Sequence, residues 1–592
     1  MQGYVVYDNI NFADRTRHEE IGHRAQFHSF TNAAWVICND IPEGGLTQDM
    51  HNPSHPLSIR DVMLSDGIQN TGSFDTDLSR FFIVEAIERL HGNAVKNLFK
   101  NCADQKPQFP VIDRRPGTRT EFWQLAGITA NEGTIEGTYA VHDDIFLQQL
   151  GYTKAEQPGL EDDFTNRLFL AYGDQLTTHH IRSVQHEQRH AGLAYDRRQW
   201  MMGVPAWFHI QYNLLLTIVR THWKPVGKQT EHHCVSHDAT LWNRTQTSRD
   251  NVKYHLMEPI VAQGFTARVV AIFYSCLQSR GLGTIRNEQH GRKEDLEGAI
   301  AQLTPDLFLE IVEEVRQHAF TRQAWENDNP DVDFRTMCRY LQEVEMLLTI
   351  RKAIKYADVG ILRRMVDPLI IFFTGAGQSN YSREMLYYRW LLSPANTPTL
   401  QYAILAAGLV NWRGYQGASK PIDLALEHLN SACKIDLRNS KNSTRDVGVI
   451  FQQVALCNTW LKVLREKLED QYGELMTGSH STSTATADMF LLAWQTHYQG
   501  LGLPRSASSL SHQTMFDSAD IRSLGVRQLG SVIARHNAEN VRQSAIGAVL
   551  PAVDDLGFVD ISEFADIVHA GFDDVDDPTL IATSVIDEID LT

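Results

Sequence analysis

The chain has 592 residues, 43% apolar and 21% charged, which is ordinary for a soluble globular protein and long enough for several domains. Its net charge of −18 is uneven: residues 551–592 hold 12 Asp/Glu and no Lys or Arg, which leaves −6 for residues 1–550. Bulk charge therefore does not announce nucleic acid, and seven scattered cysteines without a CxxC exclude a disulfide framework or a cysteine-built zinc site.

No stretch reaches the roughly 18 uninterrupted apolar residues of a membrane span. The best, Ile361–Thr374, carries Arg363, Arg364 and Asp367. No basic-then-apolar signal peptide is visible at the N-terminus. The expectation is an intracellular protein with no membrane partner.

In chain order, Tyr4–Asn11 (YVVYDNIN) predicts a short β-branched strand that delivers Asp8 at its end. A polar helix follows over Asp14–His23, then a second strand, Phe27–Cys38, pairing antiparallel with the first. Residues 40–75 read as loop, Phe81–Cys102 as helix and Pro107–Thr118 as loop. Glu121–Ile128 is a short strand candidate, and Thr134–Leu150 an amphipathic helix with Ile135, Tyr139, His142, Phe146 and Leu150 on one face. Leu168–Tyr172 is an apolar strand running into Gly173-Asp174, with Thr177 placed to cap a His/Arg-rich helix. Met201–Ala206 predicts one more strand, leading into a buried helix over Trp207–Val219.

From 221 to about 470 the pattern is helical, as in Leu307–Ala319, Met337–Lys355, Arg383–Leu392 and Val447–Leu468. Met476–Ala487 is a Ser/Thr-rich linker, and the acidic end is expected to be disordered. The organisation expected is an α/β, RNase H-like mixed-sheet core over 1–220, with an all-α insertion over 221–410. Helices over 411–470 complete the core, a linker and helical region occupies 471–550, and the acidic tail spans 551–592.

Asp8 and Asp174 each end an apolar run, where sites form at the carboxyl ends of sheet strands. Glu427 lies in an apolar helix, Pro421–Asn430 (PIDLALEHLN), with Asp423 four residues before it on the same face and Asn430 three after. Three such carboxylates suit hard cations, Mg²⁺ or Mn²⁺. Taken singly, each acid reads more readily as a turn, cap or structural partner. Glu384, in NYSREML, is the alternative third acid. His209 follows Trp207-Phe208 and reads as a core histidine or as a partner of a carboxylate. The groups His179/His180/His186/His190 and His232/His233/Cys234/His237 lack a second ligand pair at zinc-finger spacing. GxSxG and Walker-type loops are absent, and Thr374–Gly377 is a loop with no following Lys.

YDNIN, GDQLT with its Arg-bearing helix, the PAWFH segment, NYSREML, LVNW and PIDLALEHLN occur in this order. Together they resemble the fungal domain of unknown function 6589 family, over roughly residues 4–470. That family is similar to RNase H-like transposases with an Asp/Asp/Glu triad, whose Glu helix follows a helical insertion. The resemblance implies Mg²⁺- or Mn²⁺-dependent cutting and joining of DNA, with Asp8, Asp174 and Glu427 as metal ligands. Asn9, Asn11, Gln175, His209, Asp423, His428 and Asn430 would orient them. Ala206 stands where such transposases often carry Cys or Asp three residues before a His. The resemblance also implies nuclear action and a possible homo-oligomer. Because the first strand starts almost at Met1, the chain reads either as a catalytic region alone or as one that has lost an N-terminal part. The alternatives are an inactive, domesticated DNA- or protein-binding relative, and a helical scaffold whose first 220 residues form no single sheet.

Overall fold

The computed structural model describes residues 3–14, 26–37, 45–52, 55–65, 73–224, 234–244, 246, 248–282, 293–326, 329–439, 446–457, 482–505 and 517–544. β-Branched and aromatic residues make β1 (Tyr4–Asp14) and β2 (Gln26–Ile37), which pair antiparallel along their whole length. β3 (Leu46–Thr47), β4 (Glu121–Gln124), β5 (Arg167–Gly173) and β6 (Met201–Pro205) complete a six-stranded sheet. Its main path runs β4-β2-β1-β5-β6. The first two pairings are antiparallel and the last two parallel, while β3 flanks the start of β5. Every strand of this sheet lies between residues 4 and 205, so the first third of the chain does form one sheet.

Strand alternation sorts the side chains onto two faces. Val5, Tyr7, Phe169 and Ala171 pack with Phe146, Ile181 and Trp200 on one. Tyr4, Val6, Leu170 and Tyr172 face the other way, into a core continuous with the helical body. That body includes the helices Ser73–Leu98, Tyr254–Ser279, Pro305–Ala319, Val332–Lys355, Val359–Gly375 and Ser379–Leu391. The result is a mixed α/β protein, mostly helical, with a small mixed sheet.

Several expectations change. β1 does not stop at Asp8 but continues to Asp14, because Ile10 and Phe30 gain apolar cover from Cys433, Leu437, Phe451 and Ala455. Asp8 is therefore a mid-strand residue, and Asp14 ends a strand rather than starting a helix. Residues 15–25 lie outside the described residues, as do His232, His233, residues 458–481 and the acidic tail. The region 40–75 holds β3 and a short helix, Ile59–Met63, closed by a Ser58/Asp61 capping box. Asp174, not Thr177, caps the helix Gln175–Glu187.

The Ser/Thr-rich stretch already enters a helix at Thr482 (Thr482–Tyr498). Gly375 closes a helix and meets the C-terminal helix Ile521–Ser544 at Gly525. A Cβ on Gly375 would fall 1.8 Å from the Ile521 carbonyl, and one on Gly525 would fall 1.9 Å from the Ile371 carbonyl. Among the described residues one helix, Tyr254–Ser279, is long and apolar enough to cross a membrane, and 94% of its apolar window is buried within this fold. Its Arg268 is fully buried and bonded to Asp238 at 2.6 and 2.9 Å.

Candidate functional site

The parallel register between β1 and β5 pairs Val5 with Ala171 and Val6 with Tyr172. Two residues further along each strand stand Asp8 and Asp174, level on neighbouring strands. Asp8 shares the face of Tyr4 and Val6, the face on which the helix Ile422–Asn439 packs against β1 and β2. That helix brings Glu427 down onto Asp8.

Two polar clamps set the position of this helix. At its start Asp423, almost fully buried, accepts from the Phe208 N–H at 3.2 Å, the His209 N–H at 3.0 Å and His209 Nδ1 at 3.0 Å. The helix Trp207–His222 begins after Ala206, which has no side-chain oxygen to cap it. A carboxylate from another helix satisfies those orphan donors instead. Two turns on, Asn430 Oδ1 accepts from Asn32 Nδ2 at 2.8 Å, and Asn32 Oδ1 accepts from Gln124 Nε2 at 3.0 Å. Asn32 is the β2 partner of Asp8. Glu427 lies between the two clamps.

A fourth acid, absent from the sequence reading, completes the group. Glu132 precedes the Thr134 cap of the helix Ile135–Asp143 and is 3% exposed. Its backbone is strapped by Thr31, Thr138 and His180. The Thr177 hydroxyl donates to its Oε1 at 3.2 Å, while its Oε2 is buried without a hydrogen bond. Nearby, the Asn9 N–H is given to Asp8 Oδ1 at 2.8 Å. In sequence Glu132 is one polar residue in an Asn-Glu-Gly turn, and no spacing sets it apart.

These acids repel one another. Burial pushes the Asp8 carboxyl well above its ordinary range, and Glu427, Asp174 and Glu132 push it further; Asp8 and Glu427 also share a hydrogen bond. Glu132 is raised by burial and then by Asp174. Tyr7, whose hydroxyl meets His142 Nε2 at 2.9 Å, is held up by burial, Glu132 and Asp174. None of the groups that dominate Asp8 or Glu132 is a Lys or Arg. The cation at the site is His209: burial opposes its charge, but Asp423, Asp174 and Glu427 hold it protonated up to about 9.

The other expected residues are placed as follows. Asp174 divides its roles: Oδ1 caps its own helix by accepting the Thr177 N–H at 2.8 Å. Asn9 borders Glu132 through the Asn131–Gly133 turn. Asn11 is exposed on the other face of β1 and accepts from Ser29 at 2.7 Å. Gln175 opens the Asp174 helix, and His428 follows Glu427; both are half-buried. Glu384 is spent elsewhere, buried in an ion pair with Arg182 and accepting from the Thr178 hydroxyl at 2.9 Å.

Asp8, Asp174 and Glu427 are half-buried and so open to a ligand, with Glu132 beneath them. All four offer carboxylate oxygens, the donors of hard divalent cations, and their mutual repulsion, which His209 offsets only in part, together with the orphaned Glu132 Oε2 fits such an ion. Among the described residues, the metal-ligand trio that closes to within 4.8 Å is Cys276, Glu314 and His318, where Glu314 is already bonded to Arg280 at 2.8 Å. Among the described residues the cleft acids form no such trio, so as the side chains stand they are not drawn into one closed ligand shell.

A family model described as a family of unknown function (DUF6589) matches residues 52–480. The chain belongs to this family. The family match takes in Glu132, Asp174 and Glu427 but starts after β1 and β2, so it is shorter at the front than the expected 4–470 and leaves Asp8 outside. No curated protein and no solved structure matches the chain.

Proposed function

We propose that this chain is an RNase H-like, transposase-like enzyme that cuts and joins DNA strands with Mg²⁺ or Mn²⁺. The observation that carries this reading is the convergence of Asp8, Asp174 and Glu427, from two adjacent parallel strands and a helix laid across them. Supporting it, the strand path β4-β2-β1-β5-β6, antiparallel then parallel, is the arrangement expected of an RNase H-like core. Asp8, whose carboxyl is raised by all three of the other acids, would hold the ions together with Asp174 and Glu427, and Glu132 would complete the set. Ions held there would activate the attacking oxygen and stabilise the leaving one. Asp423 orients His209, whose positive charge faces the same space and offers a hydrogen bond to a phosphate oxygen. Acting on DNA, the protein would work in the nucleus, with a homo-oligomer bringing two strand ends together.

The deciding assay incubates the full chain with duplex DNA and Mg²⁺ or Mn²⁺. Nicking that EDTA abolishes is the expected result. Intact DNA under both metals would turn the reading to a domesticated binding protein that retains the fold without the chemistry.

His209 makes a separate prediction. Its folded pKa of about 9 exceeds its ordinary 6.5, so its stabilising charge is fully present below pH 6.5 and is lost as pH rises through about 9. His209→Gln is expected to lose about 1–3 kcal/mol at pH 6 and little at pH 10. Equal losses at the two pH values in urea titrations would contradict the ion pair with Asp423.

A further inference from the structure

Most buried and half-buried arginines among the described residues are met by carboxylates: Arg182 by Glu384, Arg268 by Asp238, Arg364 by Asp75, Arg389 by Asp367 and Arg505 by Asp331. Arg383 is among the few that are not, with Arg114, which lies over the Tyr356 ring, and Arg189, which bonds the His186 carbonyl. Arg383 is half-buried in the helix Ser379–Leu391, its Nε is buried without a hydrogen bond, and its Nη2 reaches Asn380 Oδ1 only at 3.5 Å. Among the described residues no carboxylate lies within ion-pair distance of it. A cation withdrawn from water without a counter-charge is costly unless an anion arrives to meet it.

Its surroundings lie beside the acid cleft. The helix Ser379–Leu391 packs against the helix Gln175–Glu187, which Asp174 caps, and on its other side Tyr381 has its phenol held up by burial and then by Asp174, Glu384 and Asp423. Across from Arg383 is His179, five residues along the helix that Asp174 caps, about 7–8 Å by helical rise. His179 and, from the C-terminal helix, His536 are both held down to about 4, by burial first and then by Arg182 and Arg383. Both imidazoles are thus neutral near pH 7, and Arg383 keeps the only full charge among these three side chains.

We propose that Arg383 seats a backbone phosphate of the nucleic-acid strand that enters the acid cleft, with His179 beside it as a hydrogen-bonding wall. A guanidinium presents a planar fork that matches two phosphate oxygens, which a lysine does not. The inference rests on the phosphodiester reading of the cleft and adds the residue that positions the strand there.

The experiment measures binding of a fluorescent DNA duplex to the full chain carrying Asp8→Asn, so that cleavage does not interfere, with and without Arg383→Gln. Arg383→Gln is expected to weaken binding about 10-fold at low salt, equally for unrelated sequences. It should also lower the slope of log K against log salt by about one. Its unfolding midpoint should stay the same or rise, since an unpaired cation is removed, and Arg383→Lys should recover only part of the binding. Unchanged affinity and slope would overturn the proposal, as would Arg383-dependent binding of inorganic phosphate by a protein that binds no DNA. The two readings separate cleanly. DNA bound through Arg383 by a protein that never cleaves it leaves the phosphate seat standing and removes the nuclease. Metal-dependent cleavage with an indifferent Arg383 does the reverse.

Discussion

Asp8→Asn is expected to lower metal-dependent DNA cleavage by about 10³-fold while making the metal-free protein harder to unfold at alkaline pH. The two effects share one cause. Burial, Glu427, Asp174 and Glu132 all raise the Asp8 carboxyl above its unfolded value. Between those two values the folded chain holds more protons than the unfolded one, so its stability falls as pH rises. The contribution is fully present below about pH 4 and is lost on passing upward through the raised pKa. Asparagine keeps the shape and removes the charge. In EDTA, thermal unfolding of wild type and variant should coincide near pH 4 and separate by about 2 °C or more at pH 8. Mg²⁺ should lift the wild type at pH 8 and leave the variant nearly unmoved, because ligand stabilisation scales with affinity for the folded state. Cleavage retained by Asp8→Asn, or a Mg²⁺ shift that survives it, would mean the ions bind elsewhere.

Glu384→Gln should act in the opposite sense. Glu384 is 1% exposed and pairs with Arg182, itself 9% exposed and stacked on Tyr387 at 4.4 Å. Removing one partner strands the other charge in the interior, a loss of about 3–5 kcal/mol. Urea titration should show a lower midpoint with an unchanged slope, while the folded fraction still cuts DNA. Glu427→Gln is the counterpart, with stability near wild type and cleavage lost. A Glu384→Gln protein that is stable but inactive would assign the third acid to Glu384 instead.

Much of the sheet is legible in the chain because its strands are β-branched and aromatic runs with turn residues between them, as in VVY before Asp8 and LFLAYG before Asp174. Local pattern could not show how far β1 extends. By pattern the strand runs out at Asn11, whereas its continuation to Asp14 is held by Phe451 and Cys433, more than 400 residues away. Glu132 was invisible for a similar reason: its importance lies in Asp174 and Thr177 standing beside it, not in its neighbours in sequence. The alternation in PIDLALEHLN did mark a helix carrying acids on an apolar background. It gave no hint that Asp423 would cap a different helix, or that Asn430 would bond to the partner of Asp8. Glu384 and Glu427 are alike in sequence, each an acid on a largely buried helix, and only the presence of Arg182 beside one of them tells them apart.

The clamps on either side of Glu427 work as a ruler. With Asp423 fixed to one helix end and Asn430 fixed to the sheet, the backbone at 427 is held against both axial sliding and rotation. The span to Asp8 is then a fixed length that the side chain must fill. An aspartate at 427 would end about 1.5 Å short, and the helix has no freedom to move inward and make up the difference. At this position the number of methylenes, and not charge alone, decides whether the cleft can close on its ligand.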